Sequence, residues 1–299
     1  MEFTVISIGT LSKNPLWQER SPVRTSHSTT TLVRSGAAVI LVDPSLPAQI
    51  LEARLFERTG LKPDAITHVF LTNLKPVHRR GLDVFPKAIH WAAEMEIELA
   101  RQALATAATH LGPQADGQEK LAAERKVLAA IRPVPDQLAD GVDLFPLPGY
   151  TPGQAGILLK FVARTVMITG DAVPTQGHFE AGQVFQESFD IHQAKESLAE
   201  VYELADVIVP GQDNVFVNPR MKRGLSSRTL VMGELGLLGE FRQIGALGQR
   251  ISEAARLGYS RLLVPIHRSE TDKAAAAAAT PQMQITTCRT LDDALAVLE

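Results

Sequence analysis

Short runs of β-branched and apolar residues recur over residues 1–217, separated by turn residues and by stretches with helical spacing. Residues 4–8, 30–34, 38–42, 68–72, 156–161 and 166–169 have the length and residue types of strands. The last two flank Val162-Ala163-Arg164-Thr165, which reads as a hairpin turn. Residues 47–59 predict a helix: Pro47 suits a first turn, Ile50, Leu51, Leu55 and Phe56 recur at helical spacing, and Gly60 is a C-terminal stop. Residues 92–110 and 118–131 are strong helix formers parted by Gly112-Pro113 and Gly117, and predict a helical hairpin inserted between strands over about 92–131. Its simplest role is to cover a sheet.

The pattern changes at residues 218–228, where Pro219, Gly224, Ser226 and Ser227 lie in a run with four positive charges. That is linker chemistry, with nucleic-acid contact as the lesser alternative. A compact unit follows over 229–299, with strands at 229–234, 240–244, 261–264 and 284–287 and helices at 246–257 and 291–298. Residues 274–279 are six alanines, a short helix or a low-complexity connector.

Composition narrows the classes. The 299 residues are 45% hydrophobic and 21% charged, with net charge −3, so the chain is globular and carries no field that recruits nucleic acid or anionic membrane. One cysteine, Cys288, excludes an intrachain disulfide and a cysteine-based zinc knuckle. No segment reaches the ~18 apolar residues of a membrane helix, and Met1–Ser7 does not open a signal peptide, so a reduced, cytoplasmic protein is expected.

Several ordered motifs carry chemistry. Leu41-Val42-Asp43-Pro44-Ser45, Ile66–Thr72 running into Asn73-Leu74-Lys75-Pro76-Val77-His78, Pro148-Gly149-Tyr150-Thr151-Pro152-Gly153, Ile168-Thr169-Gly170-Asp171 and Val209-Pro210-Gly211-Gln212 occur in that order. Together they resemble the metallo-β-lactamase superfamily, whose H-x-H-x-D-H, P-G-H-T-P-G, bridging-aspartate and P-G-H segments supply a zinc pair. The resemblance implies an α/β fold, an αββα sandwich over 1–217. It also carries seven ligand or catalytic positions onto Asn73, Lys75, Val77, His78, Tyr150, Asp171 and Gln212. Only His78 and Asp171 keep a side chain that the family uses. Two ligands cannot make a structural or catalytic zinc site, which takes at least three protein ligands. An ammonium at Lys75 ~4 Å from a dication would be repelled by about 8 kcal/mol at an effective dielectric of 20. Val77 stands where the resemblance implies the aspartate that polarises water. The expectation is a non-catalytic protein without metal or cofactor, in which Lys75 pairs with Asp171 and Asn73, Tyr150 and Gln212 hydrogen-bond around them. The alternative is a hydrolase with one zinc or iron on His78, Asp171 and a third ligand. A further reading places an anion on Lys75, His78, Arg79 and Arg80, if a helix begins there. Asp43 reads as a turn residue, Ser45 lacks a nucleophile frame, and His178 reads as a solvated loop histidine.

Residues 233–247, with 250–264 and 290–295, resemble the second half of the Lon-protease-like domain that ends the bacterial RadA family. Gly248 falls where true Lon proteases place the catalytic lysine, and the chain has no Walker A sequence. The resemblance implies a small α/β module for docking or assembly, with a protein partner or a second copy of the chain, and nucleic acid as a weaker candidate. No membrane partner is expected.

Overall fold

A computed structural model describes residues 1–110, 115–221, 229–235, 241–242, 244–266, 283–290 and 293–294. The chain divides into two compact units, Met1–Lys222 and Arg223–Glu299, and the division falls inside the 218–228 stretch.

Two six-stranded sheets organise the first unit. One holds β1 (Glu2–Ser7), β2 (Thr30–Ser35), β3 (Ala38–Val42), β4 (His68–Leu71), β5 (Ile89–Ala92) and β6 (Ile131–Pro133) in sequence order. Its first three strands are antiparallel and β3 to β6 run parallel. The other holds β7 (Gln137–Ala139), β8 (Val142–Pro146), β9 (Ala155–Lys160), β10 (Thr165–Gly170), β11 (Val207–Pro210) and β12 (Phe216–Val217). There only β10 and β11 are parallel. The hairpin expected around 162–165 joins β9 to β10.

Helix α1 (Ala48–Thr59) ends at Gly60 in the left-handed conformation, as its sequence predicts. The helical hairpin is α2 (Glu94–His110) and α3 (Ala115–Ala130). It is shorter than the sequence suggests at both ends. Ala92 is the last residue of β5 and Ile131 the first of β6, so parallel pairing overrides the helical preference of the flanking alanines. Short α4 (Gln176–Glu180) and α5 (Ile191–Leu204) follow β10.

Strand parity places the layers, because successive side chains point to opposite faces. Val33, Ile40, Val42 and Phe70 meet Ile157, Leu159, Val166 and Ile168 between the two sheets. The alternate residues Leu32, Leu41, Val69 and Leu71 face outward onto Leu51 and Leu55 of α1, Ile97 of α2 and Leu128 of α3. On the far side Met167 and Ile208 pack on Ala194, Leu198 and Val201 of α5. The result is the expected αββα sandwich, with the helical hairpin covering the first sheet. Among the described residues no helix is long and apolar enough to cross a membrane.

In the second unit β13 (Thr229–Val231), β16 (Arg261–Pro265) and β17 (Gln284–Cys288) form a parallel sheet in the order 13-16-17. The strand expected at 229–234 is interrupted. Glu234–Leu235 (β14) instead pairs antiparallel with Phe241–Arg242 (β15). Helix α6 (Leu247–Arg256) sets Leu247 and Ile251 against Leu262 and Val264. The six alanines at 274–279 lie outside the described residues, as does most of the helix expected at 291–298.

Candidate functional site

The C-terminal ends of β3, β4, β10 and β11 converge, and the residues that follow each strand meet there. Asp43 follows β3, Thr72 and Asn73 follow β4, Asp171 follows β10, and Gln212 follows β11. Two glycines permit this convergence. Gly170 has φ +53°, and a Cβ there would strike the side chain of Thr72. A Cβ on Gly211 would run into the Asp171 carboxylate.

His78 lies at the centre, fully buried at the end of the 3₁₀ turn Pro76–His78. Its Nδ1 is 2.8 Å from Asp43 Oδ2 and its Nε2 is 2.8 Å from Asp171 Oδ2. Both carboxylates are 1% exposed. Asp43 also accepts the Thr72 backbone N–H at 2.9 Å and the Thr72 hydroxyl at 2.7 Å. Asp171 accepts Gln212 Nε2–H at 3.0 Å. The Ser28 hydroxyl is 2.9 Å from His78 Nδ1, and the Asn73 amide is 3.1 Å from Nε2. Burial alone would push the imidazole pKa down, but the charges of Asp43 and Asp171 and their hydrogen bonds more than offset this, raising it to about 10. His78 is therefore an imidazolium at neutral pH, donating one N–H to each carboxylate. Asp171 is held below the usual carboxylate range: burial opposes ionisation, while His78, Gln212 and Lys75 favour it.

This arrangement corrects the expected filling of the site. The partner of Asp171 is His78, and Lys75 makes no ion pair with it. The Lys75 ammonium instead lies 3.5 Å above the Tyr150 ring. Desolvation lowers its pKa, with Asp171, Glu187 and Glu96 offsetting part of the shift. The physical reason is reach and burial: the imidazole is enclosed between the two carboxylates and supplies two directed donors, whereas the lysine is only half-buried. The expected anion site is also corrected. No α-helix begins at this loop, only the three-residue turn. His78 is enclosed, Arg79 binds the Leu74 carbonyl and Glu124, and Arg80 binds the Ser26 carbonyl. Those cations face separate partners and leave no shared anion position.

All seven positions carried over from the resemblance do meet at this end of the sandwich. Asn73, His78, Asp171 and Gln212 form the hydrogen-bonded floor, with Lys75 stacked on Tyr150 beside it. Val77, Tyr150 and Gln212 line a cavity of about 430 Å³ above that floor. His178 lines it as well, 3% exposed within α4, so it is not the solvated loop residue the sequence suggests. Sequence reasoning missed Asp43, Ser28, Thr72 and Glu96. Glu96 accepts the Leu74 N–H at 3.0 Å and the Thr151 hydroxyl at 2.8 Å, tying the first turn of α2 to two site loops. The available signal for Asp43 was its place at the end of the strand paired beside β4.

These residues do not fit the zinc or iron that the fold implies. A ligating imidazole must offer a nitrogen lone pair, and both His78 nitrogens are taken by carboxylates. Five of the seven positions hold Asn, Lys, Val, Tyr and Gln. Among the described residues, no group of three or more His, Cys, Asp or Glu side chains is arranged to hold a metal ion.

Over 77 residues, 26% of its length, the chain is 39% identical to the DNA repair protein RadA of Haemophilus influenzae, and it spans 16% of that relative. A candidate metallo-beta-lactamase from Thermotoga maritima superposes with a TM-score of 0.53 at 19% identity, covering 72% of this chain and 98% of the other. AidC, a dizinc quorum-quenching lactonase, gives a TM-score of 0.49 at 19% identity, covering 62% of this chain and 72% of the other. The model of the metallo-beta-lactamase superfamily matches residues 23–212, from ahead of β2 to the Gln212 that closes the site. The chain belongs to the metallo-beta-lactamase superfamily.

Proposed function

We propose that this chain is a non-catalytic member of its superfamily that works by binding, with the metal pair replaced by the Asp43–His78–Asp171 triad. One observation carries the reading: the single histidine kept at the ligand positions has both nitrogens committed to buried carboxylates 2.8 Å away. The imidazolium supplies from within the chain the positive charge that such a carboxylate cluster requires. It has no lone pair for a metal, and Val77 offers nothing to polarise a water. What the fold retains is a cavity whose floor is fixed and closed. For residues 229–299, whose motifs resemble the RadA family, we propose a docking or assembly role with a protein partner or a second copy of the chain.

Metal analysis of the purified full-length chain, with zinc titration calorimetry and an esterase, lactamase and phosphodiesterase screen, tests the reading. It predicts no stoichiometric metal, no saturable zinc heat and no turnover. Stoichiometric zinc or iron accompanied by turnover would overturn it.

A further inference from the structure

Arg101, Leu104 and Ala105 of α2 and Arg125, Leu128 and Ala129 of α3 line one groove of about 420 Å³ in the helical hairpin. Both helices supply it with the same pattern, Arg-x-x-Leu-Ala, over 101–105 and 125–129. Residues three and four apart share a helix face, so each segment sets a guanidinium, a leucine and an alanine on one side. The leucines make the floor: Leu128 is 3% exposed, and Leu104 packs against the same core. Ala105 and Ala129 are exposed and too short to fill the space over that floor. The groove shares no lining residue with the cavity above the histidine triad.

The two arginines face this groove without a carboxylate partner. Arg101 has Glu98 three residues before it, the spacing at which Glu253 and Arg256 of α6 form an ion pair. Arg101 and Glu98 form none, and among the described residues neither Arg101 nor Arg125 has a hydrogen bond or ion pair. Glu124, next to Arg125, is bound to Arg79 instead. No acidic side chain lines the groove among the described residues. Two permanent positive charges therefore border an apolar floor, and nothing in the groove neutralises them. A guanidinium fork matches the oxygens of a carboxylate and binds them through charge-assisted hydrogen bonds. The leucine and alanine surface gains by being covered with hydrocarbon. Both requirements are met by one molecule that joins an anionic head to an aliphatic chain. The volume lies in the range of small-molecule sites, which suits a free chain rather than a bilayer surface.

We propose that the groove between α2 and α3 binds a free fatty acid, its carboxylate on Arg101 and Arg125 and its chain along Leu104, Ala105, Leu128 and Ala129. The proposal stands whether or not the triad site is catalytic. Titration calorimetry of the full-length chain with decanoate, kept below its micelle concentration, tests it. Decanol, inorganic phosphate and phosphatidylglycerol vesicles serve as comparisons. The expected result is saturable 1:1 heat with decanoate, at least tenfold weaker binding of decanol, and no saturable heat with phosphate or vesicles. Arg101→Gln and Arg125→Gln should each weaken decanoate binding about tenfold, the worth of one charge-assisted hydrogen bond. Ala105→Phe fills the groove from an exposed position and should abolish binding, with an unchanged urea midpoint showing that this variant is folded. No saturable heat with decanoate, decanol as tight as decanoate, saturable binding of phosphate or of vesicles, or unchanged affinity in the folded variants would overturn the proposal.

Discussion

Two buried histidines, His78 and His178, end up in opposite states. His78 lies between two carboxylates and is held protonated up to about 10. His178 is also buried, but its ring bonds a hydroxyl and packs edge-on to an aromatic ring, and it is neutral. Desolvation disfavours the cation in both. The outcome turns on whether a carboxylate is within hydrogen-bond reach. One histidine is therefore a closed-off cation, and the other is a neutral ring in the wall of the cavity above it. Residue type alone predicts neither.

The contrast can be broken most severely at its charged end. His78→Ala leaves Asp43 and Asp171 buried without a cation, and should cost on the order of 3–5 kcal/mol in urea unfolding. Raising the pH approaches the same end without mutation. Because the folded pKa is about 10 and the unfolded value 6.5, the His78 contribution is complete below pH 6.5 and is lost as pH rises through about 10. That difference corresponds to on the order of 5 kcal/mol, so unfolding free energy should fall steeply between pH 7 and 10.5 in the wild type and far less in His78→Ala. Asp171→Asn removes one of the two counter-charges. It should lower the His78 pKa and destabilise the fold by about 2–4 kcal/mol, read by NMR titration and urea unfolding. At the small end, Lys75→Ala should cost about 1 kcal/mol or less, since it removes a half-buried cation–π contact and no ion pair. A loss from Lys75→Ala as large as that from His78→Ala would restore the lysine as the site's counter-charge.

Much of the sandwich was legible in the sequence because its signals are local. The short run of apolar and β-branched residues Ala38–Val42 placed β3, and Pro47 with Gly60 bracketed α1. The site positions were legible because each follows a strand end in a recognisable motif, and all seven meet. Their partners were not. Lys75 looked like the natural cation for Asp171, yet the loop Asn73–His78 closes into a 3₁₀ turn that buries the imidazole and leaves the amine beside Tyr150. Asp43 read as a turn residue, and its left-handed backbone, with φ +48°, agrees with that reading. Its second role requires β3 to lie beside β4, a pairing between residues 28 positions apart. The ends of the helical hairpin were misplaced for a related reason, since Ala92 and Ile131 take strand geometry from neighbours distant in the chain.

The protonation state of His78 is the most direct measurement of the central claim. With the imidazole nitrogens labelled with ¹⁵N, long-range correlation spectra from pH 6 to 11 should show both His78 nitrogens protonated through neutral pH, with a single titration near 10. A His78 that titrates near 6.5, or one whose nitrogen shifts move to those of a metal ligand on adding zinc, would contradict the account.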